Sequence, residues 1–294
     1  MALPHIFLAV LVTFIWGTNF VAIEVLLRDL PPIFATALRF FVAAIPAIFF
    51  IRPPKLPART IVAYGTFMFA GHFGFLFAAM FVGLSAGLAS LLLQVHVFIT
   101  IALAVIFLKE RPSAFQIIGA ALAFSGVALV ATQRGGDVTP LGIVLVLLAA
   151  VSWGIANLQS RQIGSVNMLA LVVWGSISTL PPLLILSLIL EGPALILPAL
   201  TSISLPGVAA LGYIVYMSTW VGFTIWSGLL SKYPAATVTP FALMVPIFGM
   251  LSSALFLGEP LQNWKFVAGA LVLTGLAINV FGPKLSARRA SIQN

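Results

Sequence analysis

The sequence predicts an all-α protein that crosses a membrane many times, and three observations lead to this fold class. First, 62% of the 294 residues are hydrophobic and only 7% are charged, whereas a soluble domain has about 25% charged residues. Second, the apolar residues fall into segments close to the length that a membrane-spanning helix needs. Third, the second half of the chain repeats features of the first half 149 residues later. A soluble core cannot bury this much apolar surface, so we predict a polytopic membrane protein.

Ten apolar segments follow one another, mostly with short connections. The predicted spans cover residues 5–26, 33–51, 61–81, 87–108, 114–132, 140–160, 168–190, 207–230, 235–257 and 264–282. With ten spans, both termini lie on one side of the membrane. The loops on that side and the C-terminal tail carry ten Lys and Arg residues, against three on the other side, which predicts cytoplasmic termini by the positive-inside rule. No basic region precedes the first segment, so we expect a retained helix rather than a signal peptide.

Features that recur 149 residues apart divide the chain into two halves. The stretch 87–112 begins with small residues and ends at a Lys-Glu-Arg-Pro sequence, and 235–260 repeats this pattern with Glu259 in the place of Glu110. Because five spans per half is an odd number, the second half must lie upside down relative to the first. Inverted repeats are common in secondary transporters, which bind substrate near the midplane between the halves. We therefore predict two inverted five-helix repeats, 5–132 and 140–282, and a basic cytoplasmic tail, 283–294.

An aromatic residue and an amide share one helix face in the first and the sixth predicted spans. Trp16 and Asn19 are three positions apart, and Trp153 and Asn157 are four apart, which places each pair on one side of its helix. Such pairs suit a cavity for an amphipathic ligand, and they also suit hydrogen bonds between helices. Both interpretations are open. On the first, Asn19 and Asn157 line the transport path from opposite sides of the midplane.

Three more polar residues lie near the middle of predicted spans, where a polar group without a partner costs several kcal/mol. They are His72, Gln94 and His96. Histidine titrates near neutral pH and is a functional candidate inside a membrane, although each could instead be a neutral imidazole bonded within the bundle. Gln94 and His96 lie about 200° apart around a helix, so they cannot both face one cavity. Ser90 shares the face of Gln94, which makes that stripe the better candidate for a cavity lining.

A single basic residue, Arg39, lies about two turns inside the second predicted span. A charge there costs roughly 2.5–3.5 kcal/mol even on the insertion scale. The sequence leaves two alternatives, an ion pair with Glu24 near the outer end of the first span, or a binding group for a substrate carboxylate. Glu110 and Glu259, at the cytoplasmic and outer ends, are interpreted as caps or loop partners.

Prolines and aromatic residues provide the last candidates. Pro240 and Pro246 each remove a backbone hydrogen bond from the ninth predicted span and free a carbonyl, which is tolerated where protein or a wet cavity satisfies it. We therefore predict that the fourth and ninth spans move and line the path, with these prolines as gating positions. Tyr213 and Trp220 of the eighth span are candidates either for the cavity lining or for the membrane interface. Their spacing does not decide which residue belongs to which.

Several classes of protein are excluded or disfavoured. The chain has no cysteine, so it has neither a disulfide nor a Cys-based metal site. It contains no Walker A sequence, His-Glu metal motif or nucleophile elbow, so we expect neither an enzyme nor an ATP-driven pump, and no cofactor or metal. The net charge of +8 is spread over separate loops, which disfavours nucleic acid. The expected partners are the lipid bilayer and small-molecule substrates, and the protein is expected to be a monomer.

The sequence resembles the EamA family of the drug/metabolite transporter superfamily over nearly its whole length, as two EamA repeats. The residues that carry the resemblance are Trp16-Gly17-Thr18-Asn19-Phe20, Pro31-Pro32 with Arg39-Phe40, Gly87-Leu88-Ala89-Ser90-Leu91 through Gln94, Gly258-Glu259-Pro260, and the stretch 274–282. Within the family it is most similar to bacterial amino-acid exporters, those for cysteine and O-acetylserine or for a broader set that includes aromatic amino acids. The resemblance implies a carrier of the bacterial inner membrane, with a cavity lined by helices 1–4 and 6–9.

We therefore expect a secondary transporter that exports amino acids and related metabolites by alternating access. One alternative is efflux of amphipathic drugs or cationic dyes, for which tryptophan side chains would supply cation–π contacts. The other is a passive channel or a lipid scramblase.

Overall fold

The computed structural model describes residues 1–133, 136–163 and 166–293, and the regular elements in these ranges are all helices. Ten apolar helices match the predicted spans. Nine helices in the described ranges are long and apolar enough to cross a membrane, and α2, with 17 residues, is shorter. The ten are α1 (Leu3–Leu27), α2 (Pro32–Ile48), α3 (Ala58–Phe81), α4 (Ala86–Leu108), α5 (Ala114–Thr132), α6 (Pro140–Ile163), α7 (Met168–Leu190), α8 (Leu205–Lys232), α9 (Thr239–Leu257) and α10 (Asn263–Gln293). The predicted all-helical, polytopic membrane protein is confirmed.

Some boundaries differ from the predicted ones. A short helix, Pro193–Thr201, lies between α7 and α8, where the sequence predicted only a connection. It starts with proline at its first position, directly after Gly192 with a φ of 74°, and proline is favoured there because its missing N–H has no helical acceptor. Helix α10 continues past the apolar part that ends at Gly282, so the predicted tail 283–294 is helical up to residue 293. Arg134, counted in the topology prediction, lies outside the described residues.

The exposed surface of the helix bundle is largely apolar, as a lipid environment requires. Large hydrophobic side chains such as Phe50 and Ile189 are 87% and 71% exposed. A soluble protein rarely exposes so many large apolar residues together. Lipid is therefore the expected neighbour of this surface.

Helices α4 and α9 end in the same way, 149 residues apart. Lys109 and Gly258 both have a left-handed backbone, with φ of 56° and 69°. Each donates its backbone N–H to the carbonyl five residues earlier, at Ala104 and Ser253. Glycine adopts this conformation most easily, and Lys109 is the one non-glycine residue in the described ranges with a positive φ. The conformation therefore follows the position in the half rather than the residue type.

Irregular helical turns also occur at matching positions. Helix α3 contains a π-helical stretch at Thr66–Gly71, and 149 residues later 215–220 falls inside the π-helical stretch Tyr213–Val221 of α8. Helix α4 tightens to a 3₁₀ turn at Leu93–Val95, and α9 begins with one at Thr239–Leu243. Such stretches inside longer helices often mark functional sites or hinges.

Helices α5 and α10 pack closely through small residues. A Cβ atom on Gly119 would lie 2.5 Å from the carbonyl oxygen of Gly275, and one on Gly126 would lie 3.0 Å from that of Ala268. The later residue of α5 thus contacts the earlier residue of α10, so the two helices run antiparallel. Small residues allow this close approach of backbones inside a membrane.

Candidate functional site

Trp153 on α6 stacks between two histidines from other helices. The centroid of its ring system lies 3.7 Å from that of His96 on α4, with 5° between the planes, and 4.5 Å from that of His72 on α3, with 16°. Two imidazole rings so close to one indole would overlap if they shared a face, so they lie on opposite faces. The stack joins α3, α4 and α6, which the sequence did not indicate, since it gives no helix rotation.

The polar atoms of the two histidines are in different environments. His96 is half-buried, and its Nδ1 lies 3.0 Å from the carbonyl oxygen of Leu93 on its own helix. His72 is 2% exposed and has no well-formed hydrogen bond at either ring nitrogen, only a loose contact with the backbone of Met68. Among the described residues, neither histidine makes an ion pair.

Arg39 on α2 lies at one end of this stack. Its guanidinium carbon is 3.8 Å from the centroid of Phe73, and the ring of Phe73 is 4.1 Å from that of His72. Arg39 is 1% exposed, its Nη2 donates to Thr219 Oγ1 at 3.2 Å, and its Nε and Nη1 have no partner. The ion pair with Glu24, one of the two predicted alternatives, is not formed.

Trp16 and Tyr213 connect α1 to α8. Trp16 Nε1 donates to the backbone carbonyl of Ser218 at 3.1 Å, and the Tyr213 hydroxyl lies 2.5 Å from Thr18 Oγ1. Ser218 lies in the π-helical stretch of α8. Both side chains are half-buried. The two predicted candidates thus lie at one helix interface.

The two asparagines with corresponding Trp-Asn motifs have different partners. Asn157 on α6 donates from Nδ2 to Thr100 Oγ1 on α4 at 3.2 Å. Asn19 on α1 is 6% exposed, and its Oδ1 has no partner. Asn157 is half-buried. Thr100, which the sequence analysis did not single out, is thus part of the polar group around Trp153.

Ser90 and Trp220 take part in helix packing in this conformation. Ser90 is fully buried, donates to the carbonyl of Gly87 on its own helix, and contacts Gly249 on α9. Trp220 donates from Nε1 to the carbonyl of Ala43 on α2 at 3.1 Å. A role in lining the transport path remains a prediction for both.

Gln94 connects the irregular stretches of α4 and α9. Its Nε2 lies 3.4 Å from the carbonyl oxygen of Ala242. That carbonyl is the one that Pro246, which has no N–H, leaves without its regular helical donor. Pro240 lies within the 3₁₀ turn at the start of α9. The two predicted gating prolines thus lie in and directly after the tightened part of that helix.

The N-terminal end of α4 and the C-terminal end of α9 are fastened to each other. Glu259, just after α9, accepts backbone hydrogen bonds from Ala86 at 2.8 Å and Gly87 at 3.2 Å, at the start of α4. A carboxylate at a helix N-terminus is stabilised by the unpaired N–H groups and the helix dipole. Nearby, Lys265 forms a 2.7 Å ion pair with Asp137 and is 2% exposed. The sequence predicted a cap for Glu259 but not which helix it caps.

The matching glutamate of the first half, Glu110, is bound differently. Its carboxylate forms an ion pair with Arg161 of α6 at 2.7 Å, and both side chains are about half exposed. Exposed ion pairs contribute little stability, about 0–1 kcal/mol. The two matching glutamates thus have unequal surroundings, one holding two helix ends together and the other exposed.

A cavity of about 210 Å³ lies beside Glu259 at the C-terminal ends of α1, α3 and α9. Polar residues line it from several helix ends, namely Glu24, Arg28, Ser85, Asp137 and Glu259. Among the described residues, no group of three or more His, Asp or Glu side chains is arranged to hold a metal ion.

Comparison with known proteins identifies the family. The model of the EamA-like transporter family matches residues 3–132 and again 140–281. A probable amino-acid metabolite efflux pump from Escherichia coli (strain K12) is 40% identical over 281 residues, which cover 94% of each chain. A probable amino-acid metabolite efflux pump from Salmonella typhimurium is 39% identical over 282 residues, again 94% of each chain. A solved structure titled only "Crystal structure of protein" superposes with a TM-score of 0.65 and 17% identity over 98% of both chains, which shows a shared fold.

These matches decide several predictions. The resemblance stated from the sequence is confirmed, and the match to transporters rather than enzymes agrees with the absence of a catalytic motif. With its apolar helices, the predicted location as a multi-pass protein of the bacterial inner membrane is also confirmed. The chain belongs to the EamA-like transporter family.

Proposed function

We propose that the protein is a secondary transporter that exports amino acids and related metabolites across the bacterial inner membrane by alternating access. Family membership and the printed names of the 40% and 39% identical relatives support this substrate class. The absence of an ATP-binding motif from the sequence supports a carrier that uses existing gradients. A monomer that binds small-molecule substrates is sufficient for this function.

The architecture that fits this function is two inverted five-helix repeats, 5–132 and 140–282, with both termini in the cytoplasm. The matched helix ends, the matched π-helical stretches and the antiparallel contact of α5 with α10 support it. The excess of basic residues in the loops on the terminal side supports the orientation. The basic residues of 283–294 belong to the cytoplasmic side in this arrangement.

The observation that carries the proposal is a difference in burial between matching parts of α4 and α9. All seven residues of Ala86–Leu92 are buried, at the outer end of α4. In the matching part of the second half, at the cytoplasmic end of α9, Thr237 and Thr239 are exposed, Pro240 is half-buried and Val238 is buried. Two halves in one state of an alternating-access cycle should differ in this way, with one end closed and the other open.

The glutamates follow the same asymmetry. Glu259 holds the closed outer end by capping α4, while Glu110 is bound to Arg161 at the open cytoplasmic end. In the opposite state, Glu110 is expected to cap the helical turn Ala235–Val238, and Glu259 to release α4. On this proposal, the state is open towards the cytoplasm, from which an exporter takes up its substrate.

Counterflow in liposomes tests the proposal. Purified protein is reconstituted with unlabelled amino acid inside, and uptake of the same labelled amino acid from outside is measured for a panel of substrates. A carrier exchanges the two pools, so the internal substrate should speed uptake of the label. Labelled uptake that does not depend on internal substrate would indicate a channel. Exchange of cationic dyes but not of amino acids would indicate the alternative of drug efflux.

A further inference from the structure

Arg39 lies well inside an apolar span, and no acidic side chain that the structure describes pairs with it. The chain has six Asp and Glu residues in total, and the structure describes all of them. Two of them form ion pairs and three accept hydrogen bonds at helix ends. Glu24 lines the same cavity as Arg28 and Glu259. The other five are Asp29, Glu110, Asp137, Glu191 and Glu259.

The guanidinium of Arg39 is nevertheless held in a defined position. Phe73 supports it from α3 with the guanidinium carbon 3.8 Å from the ring centroid, and Thr219 accepts one hydrogen bond from Nη2. The Thr219 hydroxyl itself donates to the carbonyl of Ile214, five residues earlier, which the π-helical geometry of α8 allows. Hydrogens on Nε and Nη1 have no acceptor. Either free donor, taken with the second hydrogen of Nη2, forms the planar fork that matches the two oxygens of a carboxylate.

An unpaired cation inside a membrane is costly, and such groups usually serve a substrate or ion. The rings that follow Arg39, from Phe73 through His72 to Trp153, extend from it as one stack. A ligand whose carboxylate binds Arg39 can therefore place its side chain against aromatic rings. We propose that Arg39 binds the carboxylate of the transported substrate. This carboxylate is the counter-ion that the chain itself does not supply. This inference rests on the proposed function and names the substrate group that the site recognises.

The first experiment measures binding without transport. The purified full chain is unfolded by heat in detergent with propionate, with propanamide, or with chloride at the same ionic strength. We expect propionate alone to raise the unfolding temperature of the wild type, and Arg39→Gln to remove that shift. Arg28→Gln is the matched control, because it removes a cation at the exposed outer end of α1, and it should keep the shift. A propionate shift that survives in Arg39→Gln, or no shift in the wild type, would overturn the proposal.

The second experiment measures selectivity during exchange. L-phenylalanine, its amide and phenethylamine compete with labelled phenylalanine for the wild type and for Arg39→Lys, which keeps the charge but loses the planar fork. A charge-assisted hydrogen bond contributes about 1.5–3 kcal/mol, or roughly a tenfold or larger preference for the carboxylate. We expect the variant to lose most of this preference while total expression and folding stay normal. A preference as large as in the wild type would contradict the proposal.

The two experiments separate this inference from the proposed function. If the wild type exchanges no amino acid but propionate stabilises it through Arg39, the substrate class is wrong and the carboxylate site stands. If amino acids exchange and neither selectivity nor stabilisation depends on Arg39, the exporter stands and the carboxylate site is wrong.

Discussion

The side-chain amide of Gln94 on α4 lies 3.4 Å from the backbone carbonyl oxygen of Ala242 on α9. In a regular helix the N–H of residue 246 would bond this carbonyl, but that residue is a proline. Gln94 thus supplies a donor where both helices have tightened turns. The contact joins the two halves at the helices that the proposed cycle has to move.

Replacing Gln94 by leucine is expected to lower the free energy of unfolding by roughly 0.6 kcal/mol, the average for a hydrogen bond between membrane helices. The carbonyl of Ala242 then has no side-chain donor. Unfolding in mixed micelles measures the change. Gln159→Leu is the matched control, since the buried Oε1 of Gln159 has no partner to lose. An equal loss of stability in the two variants would contradict this role for Gln94.

Glu259→Gln is expected to open the outer end more often, because a neutral amide makes weaker hydrogen bonds than a carboxylate to the backbone of α4. The chain has no cysteine, so Ser253→Cys introduces a single thiol, at a fully buried position beside the outer contact. A membrane-impermeant maleimide should label this thiol several-fold faster in the Glu259→Gln background. Glu110→Gln, the corresponding change at the cytoplasmic end, should not speed labelling. Equal acceleration by both changes would show that Glu259 does not close the outer end.

The two asparagines are expected to respond differently to alanine substitution. Asn157→Ala removes the hydrogen bond to Thr100 and should lower stability by roughly 0.6 kcal/mol. Asn19→Ala removes a side chain whose Oδ1 has no partner, so stability should stay near that of the wild type while the Michaelis constant for exchange rises. Wild-type exchange kinetics in both variants would refute a lining role for either residue.

Exchange is expected to proceed without proton coupling through the histidines. Neither His72 nor His96 makes an ion pair with a carboxylate in the described chain, and both rings stack on Trp153. The double variant His72→Gln, His96→Gln should therefore keep exchange in liposomes, with the same insensitivity to an imposed pH difference as the wild type. Accumulation of substrate against its gradient by the wild type, driven by a pH difference alone, would prove this expectation wrong.

Hydropathy and the 149-residue spacing were sufficient to predict the helices, because chain length and side-chain polarity decide whether a segment spans a bilayer. They did not predict the helix Pro193–Thr201, which is apolar but too short to register as a span. The π-helical stretches of α3 and α8 also left no signal, since their residues are as apolar as those of a regular helix.

The candidate site was predicted as a set of residues but not as an arrangement. Sequence spacing gives the face of a residue on its own helix, so it predicts that Trp153 and Asn157 share a face of α6, and both contact α4. It does not give the rotation of one helix against another. The stack of His72 and His96 on Trp153, and the isolation of Arg39 from Glu24, depend on that rotation and became visible only in the structure.

A reversible cross-link at the outer ends of α4 and α9 tests the alternating-access account most directly. A Cβ atom on Gly87 would lie 3.5 Å from the Cβ of Ser253, within the range that a disulfide needs. The pair Thr100→Cys, Thr239→Cys takes the positions that match Gly249 and Ser90, which contact each other in the other half of the symmetric arrangement, and Thr239 is exposed. Each single substitution serves as the control for its pair.

In counterflow, oxidation of the Gly87→Cys, Ser253→Cys protein should stop exchange, and dithiothreitol should restore it. Substrate should speed cross-linking of the Thr100→Cys, Thr239→Cys protein, because turnover closes the cytoplasmic end. An outer-linked protein that exchanges at the full rate, or a cytoplasmic pair that never cross-links during turnover, would contradict the account.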